Sequence, residues 1–581
     1  MKVSYSTSTR TIRGFKNLST YSFVLMCLLS SGSNAIAQTL PSSADSGRIN
    51  PSQAITSPLV TEIPMVNIQS QTKFKLTPPP ENSDQIHLEI KEIKIVGGTV
   101  YSEQKYKDIY KDYLNKDITL DKIWLIADQI TSLYMEDGYF LSRAYIPKQE
   151  INDGIITIQI VEGYIQNVEI DPNLRKEPII QKIVGKILSQ KPISIKHLVH
   201  YNLLLTDMPG LKGLQGVLAP AQNANNGGIQ LIYKTEDQVS ALRTSSFYTS
   251  IDNFGSRYLG PLEMSVGWSG QIVPFQDTSI STLVDLPVKE IKAINISHRK
   301  AISSYMDISL NAGYTTATPG YLLKVQDIES RSLNMGVNLS YKIIRDREKN
   351  WSANIGFDAR NSDSEILSTT LSEDRIRVMR LSTTYTSYDG MNGYNTALLR
   401  LSQGLNGLGS NDSNDINISR DGASPDFTKL ELEYSRYQKI SDNYASTLNI
   451  KAQKASGSMY SSEEFGYGGQ DAGRAYDQSE ITGDDGISLS TEVMYNGISE
   501  ALDTKLQPYI FFDTGKVWNK NSGQQKVESA SSTGLGVRFQ CIGGANGLLQ
   551  LAIPLNRPID TPLYGSSPKS AQLGFKVGYE F

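Results

Sequence analysis

The chain has 581 residues, with 56 Lys+Arg against 60 Asp+Glu, so its net charge is −4 and no basic field points to nucleic acid. Mean hydropathy is −0.30, and no apolar run reaches the ~20 residues of a membrane helix. A helical membrane protein is thereby excluded. A soluble fold and a β-barrel both stay open, and 31 Tyr and 46 Gly favour the barrel, whose lipid face is hidden in alternation.

Residues 1–37 read as a signal peptide. Lys2, Arg10, Arg13 and Lys16 precede the apolar stretch Tyr21–Leu29, and Ala35-Ile-Ala37 forms a small-x-small cleavage site. Cleavage there removes Cys27 and leaves Cys541 without a disulfide partner in its own chain. Residues 38–85 read as a linker, punctuated by Pro41, Pro51, Pro58, Pro64 and Pro78-Pro-Pro80.

Residues 86–163 carry a compact α/β pattern. His87–Val96 alternates, with a phase slip at Lys91-Glu92 that predicts a bulge or a late strand start. Helices are predicted over Glu103–Leu114 and Leu120–Glu136; in the second, Leu120, Ile123, Ala127, Ile130, Leu133 and Tyr134 share one stripe. Strands Phe140–Ile146 and Ile155–Val161 follow around the hairpin signal Asn152-Asp153-Gly154. Residues 164–237 repeat the same β-α-α-β-β order: strand Ile165–Ile170, helices Glu177–Leu188 and Ile195–Met208, strands Gly213–Leu218 and Gly228–Tyr233, with a turn at Asn223–Asn226.

From 238 to 581 the helical stripes cease. Leu333, Met335, Val337, Leu339 and Tyr341 alternate with Asn334, Gly336, Asn338 and Ser340, and Leu430, Leu432 and Tyr434 alternate with Glu431, Glu433 and Ser435. Such a strand suits lipid on one face and water on the other. At the end of the chain Leu573, Phe575, Val577, Tyr579 and Phe581 alternate with Gly574, Lys576, Gly578 and Glu580, the form of a strand that closes a barrel and leaves no edge in lipid. At ~10 residues per strand plus ~10 per connection, about 16 antiparallel strands are expected. Gly409–Phe427, Asn519–Gly534 and Ser456–Gly486 are the candidate outer loops.

The last of these is long enough to expect function. Over 457–486 it holds Tyr460, Phe465, Tyr467 and Tyr476, with Arg474 as its single cation among many carboxylates. Folding back into the lumen, with Arg474 on the inner wall, is the reading its aromatics favour; from spacing alone a surface loop packed on its neighbours is the better reading. Catalytic and metal constellations are lacking. His197 and His200 share a helical face without a third ligand nearby, the Asn/Asp run Ser410–Asp415 reads as a solvated loop, and Gly210-Leu-Lys-Gly213 lacks the Lys-Ser/Thr of a phosphate-binding loop.

Several stretches together resemble one family. Leu133-Tyr-Met-Glu-Asp-Gly-Tyr139, Arg143-Ala-Tyr-Ile-Pro-Lys-Gln149, Asp153-Gly154 and Val161-Glu-Gly163 resemble the first POTRA domain of the two-partner-secretion outer-membrane transporters (the TpsB family of haemolysin secretion/activation proteins). Leu203-Leu-Leu-Thr-Asp-Met-Pro-Gly210 resembles the second, and Asp252-Asn-Phe-Gly-Ser256 the entry to the barrel. Gly473-Arg-Ala-Tyr476 with Gly483-Asp484 resembles the sixth outer loop, and Phe512-Asp-Thr-Gly515 the wall motif it meets.

The resemblance implies two periplasmic POTRA repeats (86–163 and 164–237) and a transmembrane barrel (238–581), with residues 38–85 where relatives carry a plugging helix. It implies that Arg474 pairs with Asp513, with Tyr476, Phe512 and Gly515 shaping the contact; Asp471, Asp477 and Asp484 are competing partners. The family usually has Gly where this chain has Ala475, so a left-handed backbone there would strain Ala475 and shift the flexibility to Gly473. The implied activity is ATP-independent export of an unfolded exoprotein (an adhesin, cytolysin or contact-dependent toxin) across a Gram-negative outer membrane, with no enzyme chemistry, cofactor, metal or nucleic acid. Implied partners are that exoprotein, outer-membrane lipid and the barrel-assembly machinery during biogenesis. A barrel assembly or insertion factor of the same superfamily is the alternative.

Overall fold

The computed structural model describes residues 40–49, 69–70, 78–151, 153–209, 211, 214–221, 227–235, 245–496, 504–521, 525–541, 543–556 and 570–581. The signal-peptide segment with Cys27, most of the Gly210–Gly213 stretch and the turn at 223–226 lie outside the described residues.

Among the periplasmic elements are β1 (Gln69–Ser70), β2 (His87–Glu89), β3 (Glu92–Val96), α1 (Glu103–Tyr110), β4 (Asp117–Thr119), α2 (Asp121–Glu136), β5 (Arg143–Tyr145) and β6 (Ile155–Val161). The phase slip at Lys91-Glu92 marks a change of sheet. β2 pairs antiparallel with β4, a strand without a sequence signal, while β3 joins the three-stranded sheet β3-β6-β5. Ile90, Ile126, Ile130, Ile156 and Ile158 close its core. The Glu162 carboxylate fastens the turn after β3, accepting from the Thr99 and Val100 amides, the Thr99 hydroxyl and the Tyr134 phenol at 2.5–3.1 Å. Burial foremost, then the hydrogen bonds to Tyr106 and Glu162, pushes that Tyr134 phenol well above its ordinary pKa.

The second unit follows with β7 (Tyr164–Glu169), α3 (Pro172–Arg175), α4 (Pro178–Ser189), α5 (Ile195–Thr206), β8 (Leu214–Pro220) and β9 (Gly228–Thr235). Its topology repeats the first: the opening strand lies parallel to the last, and the last is antiparallel to the one before it. One strand is added. β1, from the linker, pairs parallel with β8 through Gln69↔Val217 and Ser70↔Leu218, so this sheet runs β1-β8-β9-β7.

The barrel closes over sixteen antiparallel strands: β10 (Ser246–Asp252), β11 (Glu263–Gly270), β12 (Gln276–Asp285), β13 (Ile291–Ala301), β14 (Met306–Ala317), β15 (Ile328–Arg345), β16 (Lys349–Ile366), β17 (Thr369–Tyr388), β18 (Gly393–Gly404), β19 (Thr428–Lys439) and β20 (Tyr444–Ala455). After a short hairpin, β21 (Phe465–Tyr467) and β22 (Ile481–Gly483), the wall resumes with β23 (Asp485–Tyr495), β24 (Thr504–Trp518), β25 (Val527–Cys541), β26 (Ala545–Pro554) and β27 (Gln572–Glu580). β10 enters from the repeats, and the even count returns the C-terminus to the same side. Residues 456–484 are therefore the sixth outer loop. The expected outer loop Asn519–Gly534 is shorter in the structure, because Val527–Gly534 alternate and pair with β24 as part of β25.

The second repeat is bound to the inner rim of the barrel. Asp207 accepts two bonds from the Arg345 guanidinium (2.6 and 2.8 Å), and His200 contacts the Arg345 carbonyl (2.7 Å) and the Tyr305 hydroxyl (2.9 Å). His200 is thus a structural contact, and His197 sits beside its helix-capping Ser194.

Candidate functional site: a lumen filled by the sixth outer loop and an N-terminal plug

The sixth outer loop lies inside the barrel because its apolar residues find the inner wall there. Phe465, Tyr467, Ala475, Tyr476 and Ile481 pack with Met494, Tyr509, Phe511, Val517 and Ala530. Two wall glycines make this fit: a side chain at Gly486 would run into the Phe465 ring, and one at Gly515 into the Tyr467 ring.

Arg474 is buried against Asp513. Its Nε and Nη2 donate to the two Asp513 oxygens at 3.1 and 3.0 Å, and the Gly473 and Arg474 amides donate to Oδ2 at 3.1 and 3.2 Å. Nη1 reaches Glu492 (2.5 Å) and Nη2 the Ser490 hydroxyl (2.9 Å). Arg538 then donates to Glu492 at 2.7 Å. Two guanidiniums and two carboxylates make a neutral quartet, which a partly dehydrated lumen tolerates where a lone charge would be costly. The competing carboxylates are engaged elsewhere: Asp471 faces Lys451, Asp477 faces Arg257 and Asp484 faces Arg420.

Phe512 requires a correction. It is 40% exposed on the lipid face, whereas Phe511 is 4% exposed and lies under the Arg474 guanidinium, 3.9 Å from its centre. Strand parity is the reason: with Asp513 inward, 511 and 515 share its face and 512 does not. Tyr476 packs in the same loop–wall cluster, its hydroxyl donating to the Ser531 carbonyl at 3.0 Å. The left-handed residue of the motif is Gly473, with φ +83°, and Ala475 is not among the positive-φ residues, so the expected strain at Ala475 is not present. On the closing strand, Phe575, Tyr579 and Phe581 follow the lipid-facing parity, with Tyr579 and Phe581 ring centroids 4.6 Å apart.

A second occupant fills the lumen. Ser42–Ala44 and Ser46–Arg48 form two 3-10 turns. Pro41 precedes them, and Asp45 caps the second turn by accepting from the Gly47 amide at 2.7 Å. Ser46 Oγ lies 2.6 Å from Ser330 Oγ on β15, and Ser461 of the sixth loop donates to Asp45 at 2.7 Å. Arg48 donates to the Ser461 and Glu464 carbonyls. Glu464 is shared with Arg420, 3.1 Å away. Glu463, the neighbouring loop carboxylate, meets Arg380 and Lys429 at 2.8 Å each. A cavity of about 500 Å³ remains beside the plug, lined by hydroxyls and amides such as Ser279, Asn295, Asn311, Thr315 and Asn334.

Ser410–Asp415 belongs to the fifth outer loop and is tied to the wall, with Asn411 accepting from the Arg375 amide and donating to the Glu373 carbonyl and Asp415.

Paired α/β repeats, a sixteen-stranded barrel and an arginine-anchored loop inside it define an outer-membrane transporter of the POTRA-plus-barrel class. Residues 305–539 match the model of the haemolysin secretion/activation proteins ShlB/FhaC/HecB, and residues 88–163 match the ShlB-type POTRA domain. The heme/hemopexin transporter protein HuxB of Haemophilus influenzae is 24% identical over 78% of this chain and 80% of its own. The outer membrane transporter CdiB of Dickeya dadantii is 19% identical over 85% and 86%. CdiB from Escherichia coli superposes with a TM-score of 0.65 at 14% identity, covering 99% of this chain and all of that one, and CdiB from Acinetobacter baumannii with 0.57 at 18%, covering 97% of both; these two establish the fold. The chain belongs to the TpsB family of two-partner-secretion transporters, and its place is the Gram-negative outer membrane with the repeats in the periplasm.

Proposed function

We propose that this chain exports one unfolded exoprotein, which docks on the periplasmic repeats and threads the lumen in extended form once the plug and the sixth loop give way. The observation that carries the reading is the polar bonding of Asp45 and Arg48 to the loop inside a closed barrel. Hydrophobic burial would fix a plug permanently, whereas contacts to Ser hydroxyls and carbonyls can be exchanged for water or for a polar cargo at little net cost. The residual cavity is lined mainly by hydroxyls and amides, with Ile49 and Ile294 as its apolar members, and so offers hydrogen bonds to an extended chain. Arg474, Tyr476, Asp513 and Gly515, with Phe511, are the residues that hold the loop at rest. No nucleotide is required, and folding of the cargo outside supplies direction. The relatives' names concern heme/hemopexin and CdiB transport; for this chain the exoprotein encoded by a neighbouring reading frame is the expected cargo.

Deleting residues 86–235 while retaining the barrel tests this. Loss of export of that exoprotein, with other outer-membrane barrels assembled normally, supports the reading; a general barrel-assembly defect points to an insertion factor.

A further inference from the structure

The outward face of β15, β16 and β17 changes character along its height. Strand parity fixes that face: Asp374, Ile376 and Val378 of β17 are buried within, so Arg375, Arg377, Met379 and Leu381 point outward. The register sets Leu381 beside Ile355, Arg377 beside Ala359 and Arg375 beside Asn361. On β15, Met335 and Leu333 continue the rows of Ala359 and Asn361. Leu381, Ile355 and Met335 are each about half exposed, as a lipid-facing band requires. Its lower edge is the aromatic pair Trp351↔Tyr385. From Tyr385 up to Arg377, a strand tilted by ~40° rises about 20 Å of a band ~25 Å tall. Arg377 therefore stands at the upper margin, where the headgroups of the outer leaflet begin.

An arginine at such a margin ordinarily snorkels toward water. Arg377 is instead held by four carbonyls. Its Nε donates to Leu408 (3.1 Å), its Nη1 to Arg360 (3.1 Å) and Ile376 (2.9 Å), and its Nη2 to Gly409 (3.4 Å). Among the described residues no carboxylate pairs with it. Two of those carbonyls belong to a turn of the fifth outer loop in which Gly407, Leu408 and Gly409 have φ of +151°, +56° and +77°. A leucine in that region is strained, and this one leaves its side chain 73% exposed. Arg375, about 7 Å farther up the same face, meets one carboxylate, Asp363, at 2.6 Å. The other carboxylates of this wall lie higher: Glu373 is level with Asp363, and Glu329 with Glu365 nearer the strand ends. An unneutralised guanidinium is thus left directly above the apolar band, with a second guanidinium over it.

We infer that Arg377 and Arg375 dock the phosphate of an outer-leaflet glycolipid on the outer wall of the barrel. A second N–H on Nη2 of Arg377 and the Nε of Arg375 have no bond among the described residues and supply the donors. The acyl chains then lie along Met335, Ile355 and Leu381, and Leu408 enters the leaflet at headgroup level. The anion provides the charge that Arg377 lacks, and the chains cover the apolar face below it. The site ties the fifth loop to the leaflet and does not depend on the transport reading.

The test is native mass spectrometry of the full mature chain in detergent, titrated with bis-phosphorylated lipid A, an acylated glucosamine disaccharide. Arg375→Gln with Arg377→Gln should weaken binding by about tenfold or more, and Arg377→Lys, which keeps the charge, by clearly less. Lys300→Gln, at the periplasmic end of β13, should leave it unchanged. Dephosphorylated lipid A should bind the unaltered chain as weakly as the double variant binds the phosphorylated form. Heat-modifiable migration shows that each variant is folded. Equal affinity of the double variant and the unaltered chain overturns the site, as does equal affinity for the dephosphorylated lipid. Displacement of the glycolipid by inorganic phosphate overturns it too, because a free anion would then be the ligand.

Discussion

The periplasmic repeats and the barrel use the same alternating strands turned inside out. In the first repeat Ile126, Ile130 and Ile158 are fully enclosed. In the barrel it is Met335 (54% exposed), Leu381 and Ile510 that face outward, while Ser490, Asp513 and Ser532 are sealed within. A water-soluble unit is held by its apolar interior. The barrel is held by its backbone ladder, which leaves its interior free for charge. That freedom lets the lumen be filled by occupants held through polar contacts.

Five substitutions break or sharpen this contrast. Arg474→Ala leaves Asp513 and Glu492 buried beside a single remaining cation, a loss of about 3–5 kcal/mol at the site. The sixth loop should become protease-accessible and export should fall severely, while the barrel stays membrane-inserted and heat-modifiable. An Arg474→Ala loop that resists protease as before would break the comparison. In the first repeat, Ile158→Ala should destabilise that unit by about 2–5 kcal/mol, seen by calorimetry as an earlier periplasmic transition with the barrel transition unmoved. On the lipid face, Ile510→Arg should cost about 2–4 kcal/mol near mid-membrane and less toward the rim, measured by urea titration of the folded barrel in bilayers. The smallest effect separates neighbours: Phe511→Ala should loosen the loop by about 1–2 kcal/mol through lost cation–π contact, and Phe512→Ala should leave it docked.

Most of the fold was legible because solvent enforces a period of two or 3.6. The stripe of Ile123, Ala127, Ile130 and Tyr134 became α2, and the alternation of Leu333 to Tyr341 became β15. What escaped lacks such a period. Gln69-Ser70 joins a sheet as a two-residue strand, and Ser42–Arg48 enters the lumen through hydroxyls, one carboxylate and one guanidinium. Phe511 was within reach, since the parity of Asp513 already places it inward. Glu492 was not, because its approach to Arg474 depends on the register Ser490↔Asp513, which alternation cannot supply. Asn253 stood inside a stretch that resembled the family's barrel entry, but only the geometry shows its Nδ2 donating to the Leu573 carbonyl and its Oδ1 accepting from the Phe575 amide.

The most direct test of a removable plug locks it in place. Ser46 and Ser330 have their hydroxyl oxygens 2.6 Å apart, so cysteines at both positions should bridge on oxidation. With the bridge formed, export of the exoprotein encoded alongside should stop, and a reductant should restore it. Undiminished export through a fully bridged protein would contradict the account.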